Sequence, residues 1–175
     1  KSLLEMAGWD WGGAALWIEH CDAWVEGQEP NKGYLTLDQE LAVLDAVSAH
    51  TPGVDWGVVI NWSRSASGGR NAQLPLDHVK ASAAAGWLRH VGFSSCSGEQ
   101  TIFGIPWIDM HLPLAGTTGT PNGTLLGAAE VADIVEAAGE VTYGLKIGLR
   151  PVDQSTAEKL AGLDENAAVI LGAMA

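Results

Sequence analysis

Positive charge is scarce in this sequence. Its 175 residues include nine Lys and Arg against 21 Asp and Glu, which gives a formal net charge of −12. Nucleic acids and anionic membrane surfaces bind clustered Lys and Arg, so this balance argues against both as general partners. The chain also lacks an apolar run near the roughly 20 residues that span a bilayer, and it has no signal-peptide pattern. We therefore expect a cytoplasmic protein.

Cysteine is equally scarce, with only Cys21 and Cys96 present. Two residues are too few for a disulfide framework and lack the paired spacing of a structural zinc site, so we expect reduced thiols. Each cysteine follows a predicted strand, but a reactive thiol also needs a nearby base or cation. Packing is the commoner role for a buried thiol.

Enough apolar sequence is present for one folded domain over residues 1–175. Apolar residues make up 47% of the chain and charged residues 17%, which is ordinary for a globular protein. A chain of this length forms one core more often than two. No linker, repeat or low-complexity segment divides it.

Strand patterns alternate with helix patterns along the chain. Short apolar runs predict strands at 16–20, 56–61, 88–94 and 141–147, and helical spacing predicts helices at 36–50, 75–86, 125–138 and from 155 onward. Thr36 is a predicted N-cap, and Ser155 with Glu158 forms a predicted capping box. The polar segment 63–73 is predicted to be a loop.

Strands separated by helices favour a parallel sheet, because parallel neighbours need a crossover connection. Four β/α units are half of the eight in a TIM-type barrel. Residues 1–8 read as the end of a helix closed by Gly8, so we expect the C-terminal half of such a barrel. An open doubly wound sheet is the alternative, although no GxGxxG or GxxxxGK motif follows a strand.

Five segments near the strand ends resemble the xylose-isomerase-like superfamily of TIM barrels, in an uncharacterised bacterial branch. They are WIEHCDAW, VVINWSRS, LRHVGFSS, WIDMHLP and YGLKIGLRP. The resemblance spans nearly the whole chain. It implies a site at the C-terminal mouth of the barrel, where carboxylates and histidines hold a divalent metal during sugar isomerisation or epimerisation.

The resemblance implies roles for three residues. Glu19 stands where the superfamily has a metal-binding glutamate, and it is a candidate base or metal ligand. Asp109 and His111 are two apart, so in an extended segment they face the same way and can address one ion such as Mn²⁺, Mg²⁺ or Zn²⁺. The alternatives are a Glu19 carboxylate paired with His20 or with a nearby cation, and a structural Asp109–His111 hydrogen bond.

Three positions depart from the superfamily pattern. Asn61 and Arg64 stand where it often has Asp and His, and Lys146 stands where it commonly has Glu. Arg supplies no lone pair to a metal, and Asn is a weak ligand. We expect Asn61, Arg64, Lys146 and Arg150 to bind hydroxyls or the anionic group of an acidic sugar or sugar phosphate. Ordinary salt bridges are the alternative.

Several tryptophans lie near the predicted strand ends. Aromatic faces pack against sugar rings but also fill cores. We expect Trp24, Trp62 and Trp107 to line a substrate pocket and Trp17 to pack in the core.

The functional expectation is an isomerase or epimerase of a small sugar or sugar phosphate, which transfers a proton next to a carbonyl. Glu19, His111 and Lys146 are the candidate catalytic residues. One alternative is an aldolase-like lyase in which Lys146 forms a Schiff base. Another is a non-catalytic sugar-binding barrel. Half a barrel would also need its missing half or a second copy of the chain.

Overall fold

A four-stranded parallel sheet with interleaved helices forms the structure. The computed structural model describes residues 1–21, 25–27, 32 and 35–175. Each strand pairs with the next one along the chain, in the order β1-β2-β3-β4. The strands are β1 (Leu16–His20), β2 (Trp56–Asn61), β3 (Leu88–Phe93) and β4 (Thr142–Leu145). The predicted parallel α/β architecture is therefore confirmed.

Six helices accompany these strands in the described ranges: α1 (Ser2–Ala7), α2 (Leu37–Ser48), α3 (Trp62–Gly69), α4 (Leu74–Ala84), α5 (Ala128–Ala138) and α6 (Thr156–Ala173). The predicted caps are confirmed. The Thr36 hydroxyl accepts a hydrogen bond from the Gln39 backbone N–H, and the Ser155 hydroxyl accepts one from Glu158. Each cap satisfies an otherwise unpaired N–H at the helix start.

Helix α3 lies where the sequence predicts a loop, so that prediction is wrong. Its sequence, WSRSASGG, is rich in Ser and Gly, which are weak helix formers. Six of its eight residues are nevertheless buried. Burial against the sheet and α4 stabilises the helix despite its low intrinsic propensity. Arg70, in the left-handed conformation at φ 48°, ends it.

One face of the sheet forms the hydrophobic core. Successive residues of a strand point to opposite faces. Alternate residues of β2 belong to the same buried cluster as apolar residues of α2, α4 and α5. The fully buried members of that cluster include Leu44, Val58, Ile60, Val79, Val91, Phe93 and Val131. The helices therefore cover this face.

The opposite face is open among the described residues and carries both polar and apolar side chains. Strand register places Trp17 and Glu19 of β1 beside Gly57 and Val59 of β2. His90 of β3 then pairs with Thr142 of β4 on the same face. Trp17 is 39% exposed there, so the expectation that it packs in the core is wrong. Within the described residues, no helix is both long and apolar enough to cross a membrane.

Candidate functional site

Glu19 lies at the C-terminal edge of the sheet, near the end of β1. Its carboxylate oxygen Oε1 accepts hydrogen bonds from Asn61 Nδ2 and from Arg64 Nε, each at 3.2 Å. The Glu19 side chain is 43% exposed, so the carboxylate is both held in place and open to solvent. It faces away from the helix layer.

Arg64 joins Glu19 to Asp109. It lies in the first turn of α3, and its Nη2 is 3.3 Å from Asp109 Oδ2. The Arg64 side chain is only 9% exposed. Burial disfavours its charge, but Asp109, Cys21 and Glu19 together outweigh that penalty and raise the pKa of Arg64. The guanidinium is therefore a permanent cation between two carboxylates.

Asn61 connects the site to β3. Its side-chain carbonyl accepts a hydrogen bond from the Ser94 hydroxyl at 3.1 Å, and its amide N–H donates to Glu19. Asn61 is the last residue of β2 and is buried. Its two bonds orient the amide and hold Glu19 from the sheet side.

Asp109 and His111 come from the long connection between β3 and α5. The Ser63 hydroxyl donates to Asp109 Oδ1 at 2.8 Å, and His111 Nε2 lies 3.5 Å from Asp109 Oδ2. Among described groups, the buried His111 Nε2 has no hydrogen bond of good geometry. Burial lowers the pKa of His111; Asp109 opposes that shift, while Lys146 and Arg64 reinforce it. The imidazole is therefore neutral near pH 7.

The backbone around Asp109 and His111 is strained. Trp107 and His111 both adopt positive φ values, 57° and 55°, which non-glycine residues rarely take. Such conformations cost about 1–3 kcal/mol each and are concentrated at functional sites. Contacts of Asp109 with Ser63 and Arg64 hold this segment in place.

Lys146 stands immediately after β4, where its backbone N–H donates to the Phe93 carbonyl at 2.9 Å. Its side chain is exposed, and its charge contributes to the lowered pKa of His111. Thr142 and Gly144 share its face, as the alternation of the sequence predicts. The structure therefore brings Glu19, Asn61, Arg64, Asp109, His111 and Lys146 to the C-terminal edge of the sheet.

The residues present do not fit the predicted divalent metal. Glu19 and Asp109, two of the three predicted ligands, are ion-paired with the Arg64 guanidinium. Metal binding needs several lone pairs directed at one point. Within the described ranges, no group of three His, Cys, Asp or Glu side chains has that arrangement. The two carboxylates instead bind the cationic side chain of Arg64.

A known family model matches the part of the chain that contains this site. The model described as "Domain of unknown function (DUF4862)" matches residues 1–162, which include every site residue named above. The chain belongs to the DUF4862 family. That family's description states no activity, so the functional conclusion depends on the site.

One curated relative extends the comparison within the family. The Salmonella typhimurium protein described as "Uncharacterized protein STM3670" is 41% identical to this chain over 117 residues. Those residues are 66% of this chain and 34% of the relative, so the matched region spans about a third of that protein's length. No solved structure gives a significant match.

Three predicted binding residues of this DUF4862 chain lie apart from the network. Trp62 is 1% exposed and packs in the hydrophobic core, because the first residue of α3 points to the helix side; its prediction as a substrate-binding residue is wrong. Arg150 lies over the Phe103 ring at 5.7 Å and lines a separate cavity beside the start of α6. Trp107 packs over Gly98, and Trp24 lies outside the described residues.

Two serines of the network were not predicted. Ser63 holds Asp109, and Ser94 holds Asn61. Ser94 directly follows β3, so the strand-end rule that selects Glu19 would also have selected it. Ser63 gave no such signal, because the segment that contains it was predicted to be a loop.

His20 belongs to a different cluster on the helix side of β1. Its Nδ1 lies 2.7 Å from Glu40 Oε2, so the alternative Glu19–His20 pair is not present. The His20 ring contacts His78 edge to face at 4.7 Å between centroids. Burial, together with His20, lowers the pKa of His78 to about 4. Burial also raises the pKa of the Cys96 thiol to about 11, so this thiol is protonated at neutral pH.

Proposed function

We propose that this protein catalyses proton transfer next to the carbonyl of a small sugar or sugar phosphate, as an isomerase or epimerase. The observation that carries the proposal is the continuous network Ser94–Asn61–Glu19–Arg64–Asp109 at the sheet edge, with His111 against Asp109. It combines an exposed carboxylate, a neutral imidazole and an amine within one polar rim. These groups are suited to removing and returning protons.

Glu19 is the proposed base. Both of its hydrogen bonds within the described residues go to Oε1, which leaves Oε2 to face a bound substrate. The Asn61 and Arg64 contacts fix the carboxylate geometry before substrate arrives, and such pre-positioning lowers the barrier to proton abstraction. Carbon acids beside a carbonyl are the substrates that this arrangement suits.

His111 and Lys146 are the proposed partners of the carbonyl oxygen. Negative charge develops on that oxygen when the adjacent C–H proton leaves, and nearby donors stabilise it. A neutral imidazole donates one N–H, and the Lys146 ammonium supplies a positive charge close to it.

We also propose that the four β/α units are half of an eight-stranded barrel of the xylose-isomerase-like type. Sequential strand order without reversal, helices on one face and polar groups on the other support this proposal. In such barrels, chemistry gathers at the C-terminal strand ends. The missing half, or a second copy, would then complete the rim.

A Schiff-base lyase is the second candidate function, because Lys146 is exposed at the same edge of the sheet and near enough to His111 for its charge to lower the pKa of that imidazole. An amine next to a base can condense with a carbonyl substrate. Borohydride reduction in the presence of candidate aldehydes and ketones distinguishes the two functions. A reduced adduct at Lys146 supports the lyase function, and the absence of an adduct excludes a Schiff-base mechanism at Lys146.

Deuterium wash-in tests the proton-transfer function. The protein is incubated in D₂O with a panel of aldoses, ketoses and their phosphates, and NMR follows exchange at the carbon next to the carbonyl. We expect exchange with at least one compound. His111→Asn should slow it about 100-fold or more, the usual scale for loss of an acid–base group.

The Asn variant is chosen because Asn tolerates the left-handed backbone of His111. His50→Asn is the matched control, since His50 is an exposed histidine at the end of α2. Exchange that is equally fast in His111→Asn and His50→Asn would exclude His111 from the chemistry.

A further inference from the structure

The position of Arg64 sets the charge of the site. Its Nε and Nη2 contact carboxylate oxygens of two residues from different chain segments, Glu19 and Asp109. The side chain is almost fully buried, while the carboxylate of Asp109 is only 12% exposed. Because Asp109 meets so little water, its carboxylate requires a nearby cation, since an uncompensated buried charge is strongly destabilising.

The remaining contacts show that both oxygens of Asp109, and Oε1 of Glu19, face N–H or O–H donors. Ser63 donates to the second oxygen of Asp109, and Asn61 donates to the same Glu19 oxygen as Arg64. A guanidinium matches this arrangement, since it is planar, carries five N–H donors and stays positively charged at physiological pH. A divalent ion would have to displace the Arg64 guanidinium before it could bridge the two carboxylates.

We propose that Arg64 is the built-in cation of this site and takes the position between Glu19 and Asp109 that a divalent metal would otherwise occupy. The catalytic part of this inference rests on the proposed function, and it says that proton transfer at this site needs no bound metal. The structural part, that Arg64 occupies the position of a metal between Glu19 and Asp109, does not depend on any reaction. Removal of the Arg64 charge should free Glu19, Asp109 and His111 to bind a cation.

Metal titration tests this directly. Mn²⁺ binding is measured by calorimetry and by electron paramagnetic resonance for the unchanged protein, Arg64→Met, Arg64→Lys and Arg89→Met. Methionine keeps much of the length of the side chain without its charge, whereas lysine keeps the charge. Arg89 pairs with Asp55 at the opposite end of the sheet and serves as the matched control.

We expect a new Mn²⁺ site in Arg64→Met alone, and its loss in the double variant Arg64→Met, Asp109→Asn. Circular dichroism verifies that each variant is folded. A folded Arg64→Met protein that binds no more Mn²⁺ than Arg89→Met would overturn the inference. So would binding by the unchanged protein that Asp109→Asn abolishes, a result that does not require Arg64→Met to fold.

The two proposals fail separately. Deuterium exchange that disappears with EDTA and returns with Mn²⁺ would overturn the role of Arg64 and leave the proton-transfer function standing. A new Mn²⁺ site in Arg64→Met, with no exchange of any sugar by the unchanged protein, would overturn the function and leave the role of Arg64 standing.

Discussion

At the scale of residues, the site is a network of short polar contacts between side chains that are far apart in the sequence. Glu19, Asp109 and His111 were identified through the resemblance to the superfamily, together with their place at a predicted strand end or in an Asp-x-His pair. Their mutual arrangement was not identifiable. The Arg64 side chain bridges Glu19 and Asp109, which are 90 positions apart, and only the folded chain brings them to one guanidinium.

Gly144 provides a test of the packing beside Lys146. A methyl group at Gly144 would lie 2.8 Å from Cε1 and Nε2 of the His90 ring, whose Nδ1 bonds to the Thr142 hydroxyl at 2.8 Å. Gly144→Ala should therefore displace His90 and lower the free energy of unfolding by about 1–2 kcal/mol. Urea denaturation followed by tryptophan fluorescence measures the change.

Gly148→Ala is the control for that substitution. The neighbours of a methyl group at Gly148 stand at 3.6 Å or more, so this variant should change stability by less than about 0.5 kcal/mol. Equal stability losses in the two variants would show that contact with His90 does not determine the requirement for glycine at position 144.

At the scale of elements, hydrophobic periodicity and capping residues predicted most of the architecture. The first two strands have the predicted bounds, because each is a short apolar run between clear breakers. Helix α5 begins at Ala128, three residues later than predicted, with Gly127 at its N-cap. Helix α3 could not be predicted, since its stability comes from tertiary burial, and the contacts that Ser63 and Arg64 make with Asp109 were therefore not predicted either.

At the scale of the whole molecule, the open face of the sheet is the feature that bears on assembly. Parallel sheets are normally covered on both faces. Here Trp17 and Glu19 are exposed on one face, and β1 and β4 each pair on one side only among the described strands. A second copy of the chain, or the other half of the proposed barrel, would cover this face.

Sedimentation velocity of the isolated chain tests that expectation. We expect self-association that Trp17→Lys weakens, because a charge would then stand on the open face. Leu171→Lys, on an exposed position of α6, is the control and should leave association unchanged. A compact, stable monomer of the unchanged chain would contradict the half-barrel proposal.

Deuterium wash-in by Glu19→Gln is the most direct measurement of the central claim that the sheet edge is a proton-transfer site. The substitution keeps the shape of Glu19 but removes its basicity, and exchange next to the substrate carbonyl should fall about 100-fold or more. Glu136→Gln, on the exposed side of α5, should exchange at the unchanged rate. Equal rates in the two variants would contradict the assignment of Glu19 as the base.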